Sequence, residues 1–286
     1  MRATLAALAL GACGSLQAPV ALLEPDPAAP FVVHAWTSRD LATWTPRGPL
    51  AWSFSSLGAA VVDGELWITG LQHLEPPSRW EEVRGQLFVD LLASRNLSTW
   101  EVRRLPVDGA RGGLIDPAPL VDGGRTEIWF ARAPGTGDPA LGTKPTTFLN
   151  GHLVKGRFRA VGPWVEGSDL LDPAPVRFLG RLRCFATRGH HEVVEVFAED
   201  APRVLLPDAT VPHALVVGGE LWLLAQQQRD GRKVPILTRT ADGEHWSAPV
   251  ALDPDPRLST CASPVLEPWG EGWVLLCVEE RSVPSG

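Results

Sequence analysis

The chain has 286 residues, 44% hydrophobic and 21% charged, with a formal charge of −7. That apolar share can bury a core, while the acidic balance argues against a nucleic-acid partner, which needs surplus Lys and Arg on one face. No apolar run reaches the roughly 18–20 residues that span a bilayer. Twelve Trp, 28 Gly and 27 Pro with no Tyr suit short strands separated by turns better than long helices.

Met1 to Ala12 reads as an export signal: Arg2, a short apolar stretch from Thr4 to Leu10, then small residues before Cys13. Leu10-Gly11-Ala12-Cys13 resembles the lipobox of bacterial lipoproteins. The resemblance implies residues 1–12 as signal peptide and acylation of Cys13. It also implies a membrane-anchored protein of the bacterial cell envelope. Residues 13–30, rich in Ala and Pro, form the expected tether. The folded domain is expected over residues 31–286. Cys261 and Cys277 flank the turn at Pro268-Trp269-Gly270 nearly symmetrically, so both a disulfide and separate buried thiols stay open for them.

From residue 31 onward, one unit recurs. Phe31 to Trp44 contains Thr37-Ser38-Arg39-Asp40-Leu41-Ala42-Thr43-Trp44, echoed by Ala93-Ser94-Arg95-Asn96-Leu97-Ser98-Thr99-Trp100 and more loosely by Thr238 to Trp246. These read as outer hairpins with a polar turn and a Trp packed behind it. Between them lie five strand–turn–strand copies with tight Gly turns, starting at Gly58, Asp116, Asp172, Pro212 and Ser263. The pattern predicts an all-β fold: a single five-bladed β-propeller of four-stranded antiparallel blades, its ring closed by the N-terminal strand segment. A β-sandwich is the structural alternative, though it does not require five copies of one unit. Eight Trp fall at repeat positions (44, 67, 100, 129, 164, 222, 246 and 273), leaving Trp36, Trp52, Trp80 and Trp269. Trp52 and Trp80, read as lying in connecting segments, are candidate sugar-stacking platforms, with burial between blades as the alternative.

In such a ring the starts of the innermost strands converge on the axis. The first polar residues there are Asp116, Asp172, His213 and Ser263. Two carboxylates and a histidine brought together are costly unless hydrogen-bonded, solvated or functional. Leu114-Ile115-Asp116-Pro117-Ala118-Pro119-Leu120 and Leu171-Asp172-Pro173-Ala174-Pro175-Val176 resemble catalytic-strand motifs of glycoside hydrolase family 43 and related furanosidases. The resemblance implies Asp116 as general base and Asp172 as the carboxylate that tunes the acid and orients the sugar. Thr210-Val211-Pro212-His213 is similar to the next motif, but Thr210 stands where the family has its acidic Glu.

Hydrolysis needs a second group on the far side of the anomeric carbon, and a Thr hydroxyl cannot protonate a leaving oxygen near neutral pH. Asp208 and Glu192 are the substitutes by sequence proximity. The cluster Arg188-Gly189-His190-His191-Glu192 reads either as a loop over the axis or as a solvated turn. Family members often hold a metal near a His such as His213, so an axial calcium is an option; the residues themselves indicate no cofactor. Two functions follow. One is a lipoprotein that binds, and in its enzymatic version hydrolyses, a glycan; the other is a non-catalytic propeller presenting a surface to a protein or envelope partner. Glycan, membrane through the lipid anchor, and a monomeric state are the expected partners and assembly. A sialidase-like site is disfavoured for lack of an arginine triad.

Overall fold

The computed structural model describes residues 22–72, 88–109, 114–132 and 145–282. Among these residues the regular structure is all β, with no helix. The strands β1 (Phe31–Ser38) and β2 (Thr45–Trp52) come first, followed by β3 (Phe54–Val62), β4 (Glu65–Gln72), β5 (Phe88–Ser94) and β6 (Glu101–Asp108). Next come β7 (Leu114–Asp122), β8 (Arg125–Arg132), β9 (Pro145–Val154) and β10 (Arg157–Ser168). A further run holds β11 (Leu170–Phe178), β12 (Arg181–Arg188), β13 (Glu192–Val196) and β14 (Arg203–Pro207). The last elements are β15 (Ala209–Val217), β16 (Glu220–Arg229), β17 (Arg232–Thr240), β18 (Val250–Ala251), β19 (Ala262–Trp269) and β20 (Gly272–Glu280).

Antiparallel pairing joins these into three four-stranded sheets, β11 to β14, β15 to β18 and β19-β20-β1-β2, and one eight-stranded sheet. The large sheet is two antiparallel runs, β3 to β6 and β7 to β10, whose last strands meet through a short parallel ladder (Phe158 with Val107, Arg159 with Asp108). β1 pairs along its whole length with β20, from Phe31–Glu280 to Ser38–Trp273. The first strand therefore completes the last sheet, and the edge that β20 would otherwise expose is covered.

The second strand of each run is apolar on both faces, because it is sandwiched between neighbouring sheets. Leu275, Leu276, Cys277 and Val278 are all essentially buried. The apolar clusters lie between one run and the next, and one of them joins β1 and β20 to β3 and β4. The repeat tryptophans belong to this packing: Trp129 meets Trp164 edge to face, and Trp222 stacks on Trp273, each pair with centroids 5.0 Å apart. Three tryptophans of the second strands also donate their indole N–H to a Glu two residues earlier on the same strand face, Trp67 to Glu65, Trp129 to Glu127 and Trp222 to Glu220.

The polar turns follow their sequence echo. Asp40 Oδ1 accepts from the amides of Ala42 and Thr43, Asn96 Oδ1 from Ser98 and Thr99, and Asp242 Oδ1 from Glu244 and His245. The small side-chain oxygen satisfies amides that the hairpin leaves unpaired.

Leu22, ahead of β1, is 1% exposed and its carbonyl accepts from the amide of Trp52. It packs in the apolar cluster that joins β1 and β20 to β3 and β4. Cys261 and Cys277 are paired as a disulfide with Cα atoms 4.9 Å apart, while Cys184 is a free, buried thiol. Cys13 and the export segment lie outside the described residues.

Candidate functional site at the inner strands

The innermost strands share one irregularity. β3, β7, β11, β15 and β19 each slip register against their partner, between Ser55 and Gly58, Ile115 and Ala118, Leu171 and Ala174, Thr210 and His213, and Ala262 and Val265. Within each slip one residue turns left-handed: Ser56 (φ 52°), Asp116 (52°), Asp172 (53°), Val211 (52°) and Ser263 (44°). These are bulges of the kind that re-aim a side chain at the end of a strand. Val211 bears the highest steric cost, since a β-branched residue in this region is a true outlier.

The bulges define the equivalent positions. His213, expected at the leading position of its strand, stands two residues beyond it, because the bulge there falls on Val211. Ser56 occupies that position in β3, and the sequence reading missed it. Aligning Ser56-Leu57-Gly58 with Asp116-Pro117-Ala118 and Asp172-Pro173-Ala174 would have revealed it.

Each slip exposes a backbone amide, and three of these are satisfied from the preceding run. Val211 N donates to Thr187 Oγ1 (2.7 Å), Ser263 N to Gln226 Oε1 (2.8 Å) and Asp172 N to Asp116 Oδ2 (3.3 Å). Thr187 and Gln226 sit opposite the residue before the bulge in their sheets, and the same place in β8 is Ala131. With no polar side chain there, the carboxylate of Asp116 takes the role. Asp116 and Asp172 are thus neighbours on one side of the ring, and one oxygen of Asp116 is committed to backbone.

Burial pushes the Asp172 carboxyl up to about 6, against the opposing pull of the Thr187 hydroxyl and the more distant charge of Lys233. Thr210 accepts through Oγ1 from Gln226 Nε2 at 2.9 Å. The position of the expected acid is therefore an uncharged, hydrogen-bonded hydroxyl.

Asp116, Asp172 and His213 line a small axial cavity of about 30 Å³ together with Ser56, Gly58 and Val211. That is room for about one water, so a sugar ring would sit over this end of the axis and not inside it. The His213 imidazole is buried, with Nε2 3.1 Å from the Leu266 carbonyl oxygen and 3.1 Å from Glu267 Oε1. Thr210 and Ser263 are outside the cavity lining.

Glu192 starts β13, two strands out from the axis, and pairs with Arg188. His191 is exposed, its Nδ1 2.7 Å from the Gly189 carbonyl oxygen. That cluster is a self-contained solvated turn. Trp52 ends β2, not a connecting segment, and lines a different cleft. Trp80 lies outside the described residues. Among the described residues no group of three or more His, Cys, Asp or Glu is placed to hold a metal ion.

Gly58 shows how tightly the inner strands approach. A Cβ there would come within 2.4 Å of the Pro117 carbonyl oxygen and 2.8 Å of Pro119 Cδ. Backbone cannot yield as a flexible side chain can, so Gly58→Ala is expected to cost about 1–3 kcal/mol. Urea denaturation measures it; an unchanged midpoint would show that the β3–β7 approach has slack.

No family model matches the sequence, and no curated protein matches it. Its fold, however, is similar to solved glycoside hydrolases. A thermostable family-43 glycoside hydrolase superposes with a TM-score of 0.56 at 8% identity, over 82% of this chain and 95% of that one. An α-L-arabinofuranosidase from Lactobacillus brevis gives 0.56 at 12%, over 77% and 81%. An endo-arabinase from Bacteroides thetaiotaomicron gives 0.52 at 14%, over 81% and 95%. The chain therefore has the propeller fold of family-43 glycosidases and related arabinanases.

Proposed function

We propose that this chain is a five-bladed propeller that binds a glycan over the Asp116–Asp172 end of its axis without hydrolysing it. The eight-stranded sheet counts as two blades, since only a short parallel ladder joins its halves. One observation carries the reading on catalysis. The equivalent bulge positions hold two adjacent carboxylates, while Ser56, Val211 and Ser263 occupy the others. A glycosidase flanks the anomeric carbon with acid and base on separate sides, and here both carboxylates come from one side, with Thr210 in the acid's place.

The glycan class is supported by the fold and by the polar groups kept at the axis. Solved neighbours include a galactanase with galactotriose and a family-43 enzyme complexed with xylose. An extracytoplasmic location, with the lipid on Cys13, is part of the proposal; the Cys261–Cys277 pairing suits an oxidising compartment.

Calorimetric titration with arabinotriose and xylotriose tests the site. Wild type is expected to bind one of them, and Asp116→Asn, which keeps an acceptor for the Asp172 amide, is expected to weaken binding at least about tenfold, the equivalent of one lost hydrogen bond to a charge. Equal binding by the variant would remove the axial site. Turnover of aryl arabinosides or xylosides that Asp172→Asn abolishes would restore the hydrolase. Palmitate labelling that persists in Cys13→Ser would rule out the anchor.

A further inference from the structure

Of the four tryptophans that the repeat does not use, Trp36 is core at 2% exposed. Trp52 and Trp269, from opposite ends of the chain, line the same cleft, together with the repeat tryptophans Trp100 and Trp273. The cleft has a volume of about 1170 Å³ and opens between the sheet that closes the ring and the run β3 to β6. Its sides include the two matching polar turns at Ser38–Asp40 and Asn96–Ser98. It shares no lining residue with the axial cavity.

All four indoles are only partly buried. Trp100 and Trp269 rest one side on the core, whereas Trp52 belongs to no apolar cluster. Exposed Arg47, Asn96 and Glu271 stand among them.

We propose that this cleft is a second carbohydrate site that holds a stretch of polysaccharide. Flat apolar faces beside amide and charged groups match the two sides of a sugar ring, whose C–H face stacks while its hydroxyls hydrogen-bond. Both charge signs at the mouth disfavour a lipid tail. Small-molecule pockets run to about 1000 Å³, so the size fits several rings in a row. The ligand class rests on the glycan reading above; the location does not.

Electrophoresis through gels containing arabinan, xylan or galactan tests the cleft. Wild type is expected to be retarded in at least one gel. Trp52→Ala and Trp269→Ala should each weaken retention roughly tenfold, on the scale of a lost aromatic contact. Trp52→Phe and Trp269→Phe keep an aromatic face and should keep most retention, which separates stacking from misfolding. In an Asp116→Asn background, which removes axial trisaccharide binding, Trp52→Ala and Trp269→Ala should still weaken retention by a similar factor.

Alanine variants retarded as strongly as wild type would overturn the cleft, as would a wild type retarded in no gel. Retention lost in Asp116→Asn but kept in both alanine variants would overturn the cleft and leave the axial site standing. Trp-dependent retention without trisaccharide binding would support the cleft and remove the axial site alone.

Discussion

Arg104→Ala is expected to lower stability by about 3–5 kcal/mol at neutral pH, the range for stranding one partner of a buried ion pair. Arg104 grips Asp90 with two hydrogen bonds, Nε to Oδ1 at 2.7 Å and Nη2 to Oδ2 at 3.0 Å. Asp90 is only 2% exposed. The guanidinium also lies 3.9 Å over the Phe88 ring and donates to Gln72 Oε1. Alanine removes all of this and leaves a carboxylate without its counter-charge.

Burial already raises the Asp90 carboxyl above its usual range, with Arg104 pulling it back. In the variant that restraint is gone. A carboxyl raised in the native state binds its proton more tightly folded than unfolded, so stability falls as pH climbs from about 4 through the native value. The deficit of Arg104→Ala should therefore be full at pH 7 and shrink near pH 4. Urea unfolding at both values reads this, and a loss below about 1 kcal/mol at pH 7 would contradict the pair's role.

Asp172→Asn should stabilise the fold by up to about 3 kcal/mol at pH 7 while weakening axial glycan binding. The native carboxyl sits near 6 because of burial, against about 3.9 unfolded, and each unit is worth about 1.4 kcal/mol. Between those values the folded state holds the proton, so wild-type stability drops as pH rises from about 4 to about 6 and stays low above it. Asparagine bears no such charge, and its curve should lack that drop. Parallel pH profiles for the two proteins would show that Asp172 is not held in a desolvated site. A gain in stability bought by loss of binding is the usual mark of a functional side chain kept at a cost.

Much of the architecture was legible because it repeats. The matched turns at Asp40, Asn96 and Asp242 could be read from local polar signatures, since each satisfies its own backbone within a few residues. Ring closure could be read from order alone, an outer segment first and an inner hairpin last, and the Phe31–Glu280 pairing follows it. The inner Asp-Pro pairs were visible for the same reason.

What escaped the sequence depends on register and on neighbours from other runs. A one-residue bulge shifts which side chain faces the axis, so Ser56 and Val211 hold the positions that spacing had assigned elsewhere. Thr187 and Gln226 act on the following run, a relation between strands far apart in the chain. Trp52 and Trp269 share a cleft only because the first and last strands meet.

The sequence by itself determined the repeating strand–turn unit that carries Asp116 and Asp172 at its starts and Thr210 just before one, because tight Gly turns and continuous apolar strands are local signals. Tertiary structure alone decided that the Asp116 carboxylate accepts from the Asp172 amide and that two unassigned tryptophans face one opening, because side-chain direction at a bulge and contact between sheets are set by packing, not by spacing along the chain.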